Sequence, residues 1–515
     1  MHNEKVFTPS WLVERMLDHV GYESGKTIMD NSCGEGVFLT AALRRIVRYM
    51  QDHNFPNISE VAASAIHGIE KDPELVAKTI ENLNTVMDEY LLEYPVWNIV
   101  CADTMDTVDH YEGKFDFVVG NPPYANVHDL DTETLGKMRR SPLCQGGMTD
   151  LYLVFFELGY RMLKPGGKLI YITPSGWANS VAGRGFRDFL METDCLWDFV
   201  HMRHSQVFDN AQVYTAITTL RKPIPNDPNV ESDARRFVSI HEFNPETCEF
   251  GKRTAIGSLY SLRLPNGAFC FEDAKVRSMV SDVMNYDGPR HVKVQNGFAT
   301  LNDKLFILER EGNEDLLDTC EIETARMIFP DACNRDFIPV VKASTGEEKY
   351  IMFPYSIDFG VTPPKTVLRK LENLQKNTVE YLKSRLKELG NGSLLEKPEW
   401  WGYGRTQAIN DTLYTIRGGR VSLNNLIRDI DDIKLVSLDH LNRMWGIYGG
   451  FYVVGAGVTK ELIWSIVATE DFVAYVKALG HYKSGGYYTF TSKEAEKYIN
   501  AALEKRKTIK NRHVK

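Results

Sequence analysis

The 515-residue chain has no apolar run approaching the ~20 residues that a membrane span requires. Cysteine is scarce. Eight are scattered at positions 33, 101, 144, 195, 248, 270, 320 and 333, without a CxxC pair. A zinc ribbon and a secreted disulfide scaffold are therefore both unsupported. The thirteen histidines show no HExxH pattern and no His/Cys ligand spacing, so no metal site is expected. There is no GxGxxG fingerprint, no internal repeat and no low-complexity segment. The start, MHNEKVFTPS, lacks the apolar core of a signal peptide and reads as folded sequence. These absences predict a cytoplasmic protein with no membrane association.

What is present is ordinary for a globular chain: 43% hydrophobic residues, 25% charged, 38 Gly and 21 Pro. The length predicts two to four domains, each with a substantial core. Net charge is −9, unevenly spread. The first 222 residues carry 20 Lys and Arg against 30 Asp and Glu, the remainder 40 against 39, and the end (KRKTIKNRHVK) is strongly basic. A phosphate-binding surface needs a local cluster rather than a basic protein, so a nucleic-acid partner is not excluded.

Up to about residue 222, short apolar strands alternate with helical stretches. The strands are TIMD (27–30), AIHGIE (65–70), NIVCAD (98–103), FDFVVG (115–120) and KLIYIT (168–173), with DFVHM and YTAITTL later. SWLVERMLDHV and LYLVFFELGYRML read as helices. This alternation predicts an α/β domain over 1–222, with a parallel sheet wrapped on both faces and ligands at the carboxyl ends of its strands. RKPIPNDPN (221–229) breaks either period. Residues 223–290 read as a linker and irregular, partly β extension. Residues 291–515 form a third, mixed α+β region, with a long helix predicted over 366–389.

Three acids fall at the ends of three consecutive strands. DNSCGEGVFL (30–39) opens on Asp30, an acceptor for a cationic group, and Gly34 and Gly36 let the backbone turn sharply. Leu39 stands where a dinucleotide site wants its third glycine, so a ligand carrying an ammonium suits this loop better than a pyrophosphate. Glu70 is placed to accept from ribose hydroxyls and Asp103 from an adenine amino group. Asp72 reads as a helix cap. Asn121-Pro122-Pro123-Tyr124 follows the fourth strand, its two prolines fixing the backbone. The Asn121 side chain and the Pro122 carbonyl are then two acceptors suited to a planar NH2 group, with Tyr124 as a stacking face.

In this order the motifs resemble those of the gamma class of N6-adenine DNA methyltransferases of restriction–modification systems. VFTP (6–9), DNSCGEGVFL, HGIEKDPE, CADT and NPPY are followed by TDLYLVFFELGYRMLKPGGKLIYITPSGW and VFDNAQVYTAITTLRK (207–222). The resemblance implies a Rossmann-like methyltransferase domain with a seven-stranded mixed sheet, S-adenosylmethionine as cofactor, and adenine flipped out of double-stranded DNA as acceptor. It assigns Thr8, Pro9, Asp30, Cys33, Gly34, Glu70, Asp103 and Pro123 to the cofactor. Asn121, Pro122, Tyr124 and Phe208 are assigned to the base. QNGFATLNDKLFIL, WWGYGRTQAIN (400–410) and GHYKSGGYYTF (480–490) resemble the class's target-recognition region. There, Arg405 and Gln407 suit base edges, and Lys483 and Tyr487 suit the DNA backbone and a groove. A monomer working beside a separately encoded restriction endonuclease is expected.

Same-fold methyltransferases acting on a protein glutamine or on RNA guanine N2 also carry NPPY-like motifs. They usually lack so large a distal region and this motif order. A DNA-binding specificity subunit would not need the cofactor motifs. A fused nuclease is not expected, because the cofactor motif begins at residue 6.

Overall fold

Residues 8–513 are described in a computed structural model, apart from 126, 145–149, 206, 209–213, 226–236, 252–253, 318–335, 359–364, 404–418 and 439–445. The chain divides into two units, Met1–Ser281 and Asp282–Lys515.

In the first unit the alternation read from the sequence is realised. Along the chain lie α1 (Ser10–Val20), β1 (Ile28–Asp30), α2 (Val37–Asp52), α3 (Ile58–Ala65), β2 (Ile66–Glu70), α4 (Pro73–Glu89), β3 (Asn98–Cys101), α5 (Thr104–Tyr111) and β4 (Phe115–Gly120). They continue with α6 (Thr132–Met138), α7 (Leu151–Met162), β5 (Leu163–Pro174), α8 (Arg184–Thr193), β6 (Leu196–His201) and β7 (Thr215–Arg221). The strands lie in the order β3-β2-β1-β4-β5-β7-β6, with β7 antiparallel to both neighbours. The chain runs outward from β1 to β3 and then returns to β4. The switch point of the sheet, where a crevice opens, therefore falls between the ends of β1 and β4.

The expected mixed sheet is present, and it holds ten strands where seven are expected. The residues past the 221–229 break supply the difference. β8 (Phe237–Asn244) joins parallel to β6, and β9 (Glu249–Phe250) and β10 (Thr254–Ser258) pair with β8. β8 buries Val238 and Ile240 and covers what would be an open edge of β6.

Hydrophobic clusters fill both faces. On one, α1 and α2 pack Leu12, Met16, Phe38 and Ile46 onto Ile28, Ile170 and Ile172. On the other, α7 buries residues around its whole circumference, among them Tyr152, Phe156 and Met162. A helix apolar on all sides is an interior helix. Phe156 alone stabilises the fold by about 1.5–3 kcal/mol through removal from water.

The second unit is mixed α and β. An antiparallel sheet joins Lys293–Asn296, Gly450–Val454, Gly419–Asn424 and Leu435–Ser437. A second joins Ile307–Leu308, Glu348–Met352, Phe337–Lys342 and Gly446–Tyr448. The helix expected over 366–389 is shorter, Lys376–Glu388. Its first residues instead form the strand Lys365–Leu368, paired antiparallel with Tyr355–Asp358. Thr366 and Val367 are β-branched and serve that ladder, and leucine spacing alone did not reveal the partner strand.

Candidate active site

The carboxyl ends of β1, β2, β3 and β4 open onto one cavity of about 700 Å³. Thr8, Asp30, Cys33, Gly34, Glu70, Asp103, Asn121, Pro122, Pro123 and Tyr124 all line it. Ten of the twelve residues assigned to cofactor and base thus converge on one space. Pro9 stands just behind it at the N-cap of α1. Phe208 is 5% exposed, in the hydrophobic cluster against which Tyr124 packs, and is not among the lining residues.

Backbone geometry explains the first two positions. Gly34 and Gly36 have φ of 55° and 78°, and carry the chain from β1 into α2. Gly120, at the end of β4, has φ 155°, and a Cβ there would lie 2.9 Å from Asp30 Oδ1. Glycine is therefore what lets the NPPY strand end lie against the Asp30 carboxylate.

Each acid is held differently. Asp30 is buried and accepts from the Ser32 N–H at 3.1 Å. Burial raises its pKa to about 7, the Ser32 bond opposes this, and the Glu70 charge adds to it. Glu70 accepts three backbone N–H groups, from Gly34 (2.9 Å), Lys71 (2.8 Å) and Asp72 (2.9 Å). Asp103 caps α5 through the Met105 N–H at 3.0 Å, and its other oxygen accepts from Lys137 Nζ at 3.0 Å. Asp72 is the cap expected of it, accepting from Glu74 N at 2.9 Å. Cys33 Sγ lies 3.9 Å from the Thr79 hydroxyl; burial pushes its thiol up, which keeps it protonated and unreactive.

Tyr124 is fixed at both ends. Its hydroxyl donates to the Ile172 carbonyl at 3.1 Å, and its ring meets Tyr152 edge-to-face at 6.3 Å. Burial holds its phenol well above the ordinary range.

Sequence reading missed several supporting residues. Thr79 and Asn82, both on α4, hold the glycine loop through the Gly34 and Glu35 carbonyls at 2.7 and 2.8 Å. Asn31 accepts from the Tyr171 hydroxyl at 2.7 Å and through its carbonyl from Thr104. Lys137, on α6, bonds Asp106, Glu133 and Asp103, and these carboxylates hold its ammonium above the ordinary range.

Among the described residues, two buried polar atoms of the lining, Asn31 Nδ2 and Ser32 Oγ, find no partner. Beside a buried carboxylate poised to ionise, they fit a ligand that brings both an acceptor and a cation. An amino-acid head group, with its carboxylate and ammonium, meets that description.

Of the second-unit candidates, Arg405 and Gln407 lie outside the described residues. Their aromatic neighbours are structural. Tyr403 is buried, with its hydroxyl on the Met352 carbonyl, and Trp401 Nε1 donates to the Arg369 carbonyl at 2.9 Å. Lys483 is exposed on a short strand, Tyr482–Lys483, paired with Tyr487–Thr489 across a Gly-Gly turn. Arg428 stacks over Tyr487 at 4.4 Å, a cation beside this hairpin that the motif did not reveal.

Residues 49–208 match the family described as Eco57I restriction-modification methylase. The match covers about a third of the chain and is a likeness to that family. The resemblance read from the motifs is borne out. Among curated relatives, the Type II methyltransferase M.XhoI of Xanthomonas vasicola is 28% identical over 239 residues, 43% of this chain and 42% of the relative. M.BstVI of Geobacillus stearothermophilus is 27% identical over 366 residues, 63% of this chain and 64% of the relative. The Type II restriction enzyme and methyltransferase RM.Eco57I of Escherichia coli is 22% identical, covering 79% of this chain and 48% of the relative. The chain thus spans 42% to 64% of these relatives' length. The solved structure of the Type IIL restriction-modification enzyme MmeI in complex with DNA superposes over 94% of this chain and 63% of that one, at 11% identity and TM-score 0.54, a likeness of fold. Among the described residues, no helix is long and apolar enough to cross a membrane.

One change tests the crevice directly. Glu70→Ala would leave three backbone N–H groups without their acceptor and remove the partner expected for a ribose diol. Cofactor affinity should fall by about 1.5–3 kcal/mol, read by calorimetry. Parental affinity would leave Glu70 as a builder of its own turn.

Proposed function

We propose that this restriction–modification methylase is a site-specific, adenine-N6 DNA methyltransferase that uses S-adenosylmethionine and flips its target base out of double-stranded DNA. The observation that carries the reading is the convergence of three strand-end acids and NPPY on one cavity lined by orphaned polar atoms. When bound, S-adenosylmethionine supplies an electrophilic methyl group. The chain's residues do the rest. Asp30 would take the cofactor's ammonium, Asn31 Nδ2 its carboxylate, Glu70 the ribose and Asp103 the adenine amino group, with Thr8, Pro9, Cys33, Gly34 and Pro123 shaping the walls. Asn121 Oδ1 and the Pro122 carbonyl would each accept one hydrogen of the target amine. This favours a pyramidal nitrogen and frees its lone pair for attack.

Extruding the base costs a few kcal/mol of unstacking and unpairing. Stacking on Tyr124 returns part of it, at about 1–3 kcal/mol per base. Phe208 is assigned as the second ring by likeness of its segment; its ring would have to leave the core to meet the base. With 2-aminopurine at the target position, Tyr124→Ala should abolish the rise in fluorescence on binding, and Tyr124→Trp should restore part of it. Phe208→Ala should do the same if that ring stacks. A lower melting temperature with an unchanged signal would instead mark Phe208 as core alone.

The hairpin bearing Lys483 and Tyr487, with Arg428 beside it, is proposed to contact DNA, as are Arg405 and Gln407. A cytoplasmic monomer paired with a separate endonuclease completes the proposal. Mapping methylated bases in a host with and without the gene tests the reading. New N6-methyladenine at one sequence motif supports it, whereas methylation of cytosine, or of protein or RNA in its place, overturns it.

A further inference from the structure

His19 from α1, Asp198 from β6 and His241 from β8 meet away from the cavity; none of the three lines it. Their ligand atoms all lie within 4.8 Å of one another. His19 Nε2 donates to Asp198 Oδ1 at 2.9 Å, and the two imidazoles meet edge-to-face at 4.8 Å. Asp198 is 5% exposed, and among the described residues its ion-pair partner is His19. Lys168, close enough for its charge to be felt there, carries its ammonium instead to the Val20 carbonyl at 2.9 Å.

We infer that these three side chains form a zinc-binding site that clasps α1 to the outer strands of the sheet. The second imidazole already has the arrangement of a metal ligand. His241 Nδ1 lies 3.0 Å from the Gly251 carbonyl, which can only accept, so Nδ1 carries the proton and Nε2 keeps its lone pair. A backbone carbonyl in that role is the usual second partner of a ligating histidine, fixing its tautomer and orientation. Two imidazoles and a carboxylate suit zinc, with water in the fourth tetrahedral position. Donors about 2.0–2.1 Å from a tetrahedral ion stand about 3.4 Å apart, so side-chain rotations that shorten the widest separation by up to about 1.4 Å and open the His19–Asp198 pair by about 0.5 Å form the site. The ion takes the place of the Nε2 proton that His19 donates to Asp198, that proton moving to Nδ1 of the same ring, and it neutralises a buried carboxylate. Phe250, edge-to-face with His19 at 5.1 Å, gives the site an apolar wall. Nearby, Trp11 stacks on Phe243 at 5.8 Å, a second tie between α1 and β8.

The clasp also explains what the extra strands do for the cavity. α1 begins immediately after Thr8 and Pro9 and ends at His19 and Val20. Holding its far end to β6 and β8 fixes the direction from which Thr8 enters the cavity.

The full chain, purified without a histidine tag or chelator, should carry about one zinc by elemental analysis. Metal-free protein titrated with zinc against a chromogenic chelator should bind one equivalent with sub-micromolar affinity. His241→Gln and His19→Gln, checked for an unchanged circular dichroism spectrum, should each weaken that affinity by at least about tenfold. His67→Gln, elsewhere on the sheet, should not. Cobalt in place of zinc should show the visible bands of a four-coordinate ion, lost in both variants. Protein that neither retains nor takes up zinc, or folded variants that bind it as the parent does, would overturn the site and leave a hydrogen-bonded helix dock.

Discussion

Asn121→Ala should bind S-adenosylmethionine as the parent does and lose methyl transfer by about 10²–10³-fold in kcat, the loss seen when one preorganised polar contact to a reacting group is deleted. The asymmetry between binding and turnover follows from where the residue stands. Gly120 before it lies against Asp30, and Pro122 and Pro123 after it fix the backbone, so truncating the side chain leaves the strand end in place. In the proposed complex the amide oxygen would face the acceptor amine and contribute to the transition state rather than to cofactor affinity. Asn121→Asp keeps an acceptor oxygen and should retain more activity than alanine. Single-turnover kinetics on a cognate duplex, with calorimetry for the cofactor, separates the two quantities. Turnover within about threefold of the parent would remove Asn121 from the reaction.

Thr8 and Pro9 apart, the parts of this site that were legible share one property: they lie within a few residues of a strand end. Asp30, Glu70, Asp103 and Asn121 each follow a short apolar run, and parallel strands must bring such ends to one edge. Residues that act from elsewhere left no such mark. Thr79 and Asn82 reach the glycine loop from the middle of α4, 45 and 47 positions from the carbonyls they hold. Lys137 meets Asp103 across 34 positions, and Tyr171 meets Asn31 across 140. None of these pairings follows from spacing, because each depends on how a helix or a distant strand is laid on the sheet. The same holds for His19, Asp198 and His241, whose elements become neighbours through β8, a strand hidden behind the proline-rich break. Phe208 is the converse case. A motif position placed its ring beside the base, while the apolar environment of the ring placed it in the core.

Asp30→Asn should weaken S-adenosylmethionine binding at pH 8 by about 10–100-fold, as expected for a lost charged hydrogen bond, while making the ligand-free chain more stable. Both effects come from one buried carboxyl. Burial raises its pKa to about 7, the Ser32 N–H pulls it down, and the Glu70 charge pushes it up again. In the unfolded chain the same group titrates near ~3.9. Between those values the folded protein holds a proton that the unfolded chain has released, so stability falls as pH rises from about 4 to about 7 and levels off above. Asparagine removes that penalty, and the variant should melt a few degrees higher than the ligand-free parent at pH 8. A cationic ligand selects the ionised carboxylate. The parent's affinity should therefore tighten by up to about tenfold per pH unit on approaching pH 7 from below, then flatten before the cofactor's own amine begins to lose its proton near ~8. At pH 6 binding should release a proton from Asp30, so the calorimetric heat should vary with the ionisation enthalpy of the buffer. In Asp30→Asn both the slope and the buffer dependence should vanish. A parent affinity that stayed level from about pH 5.5 to 7 would place the cofactor's ammonium away from Asp30 and leave that carboxylate as a support for the turn after β1.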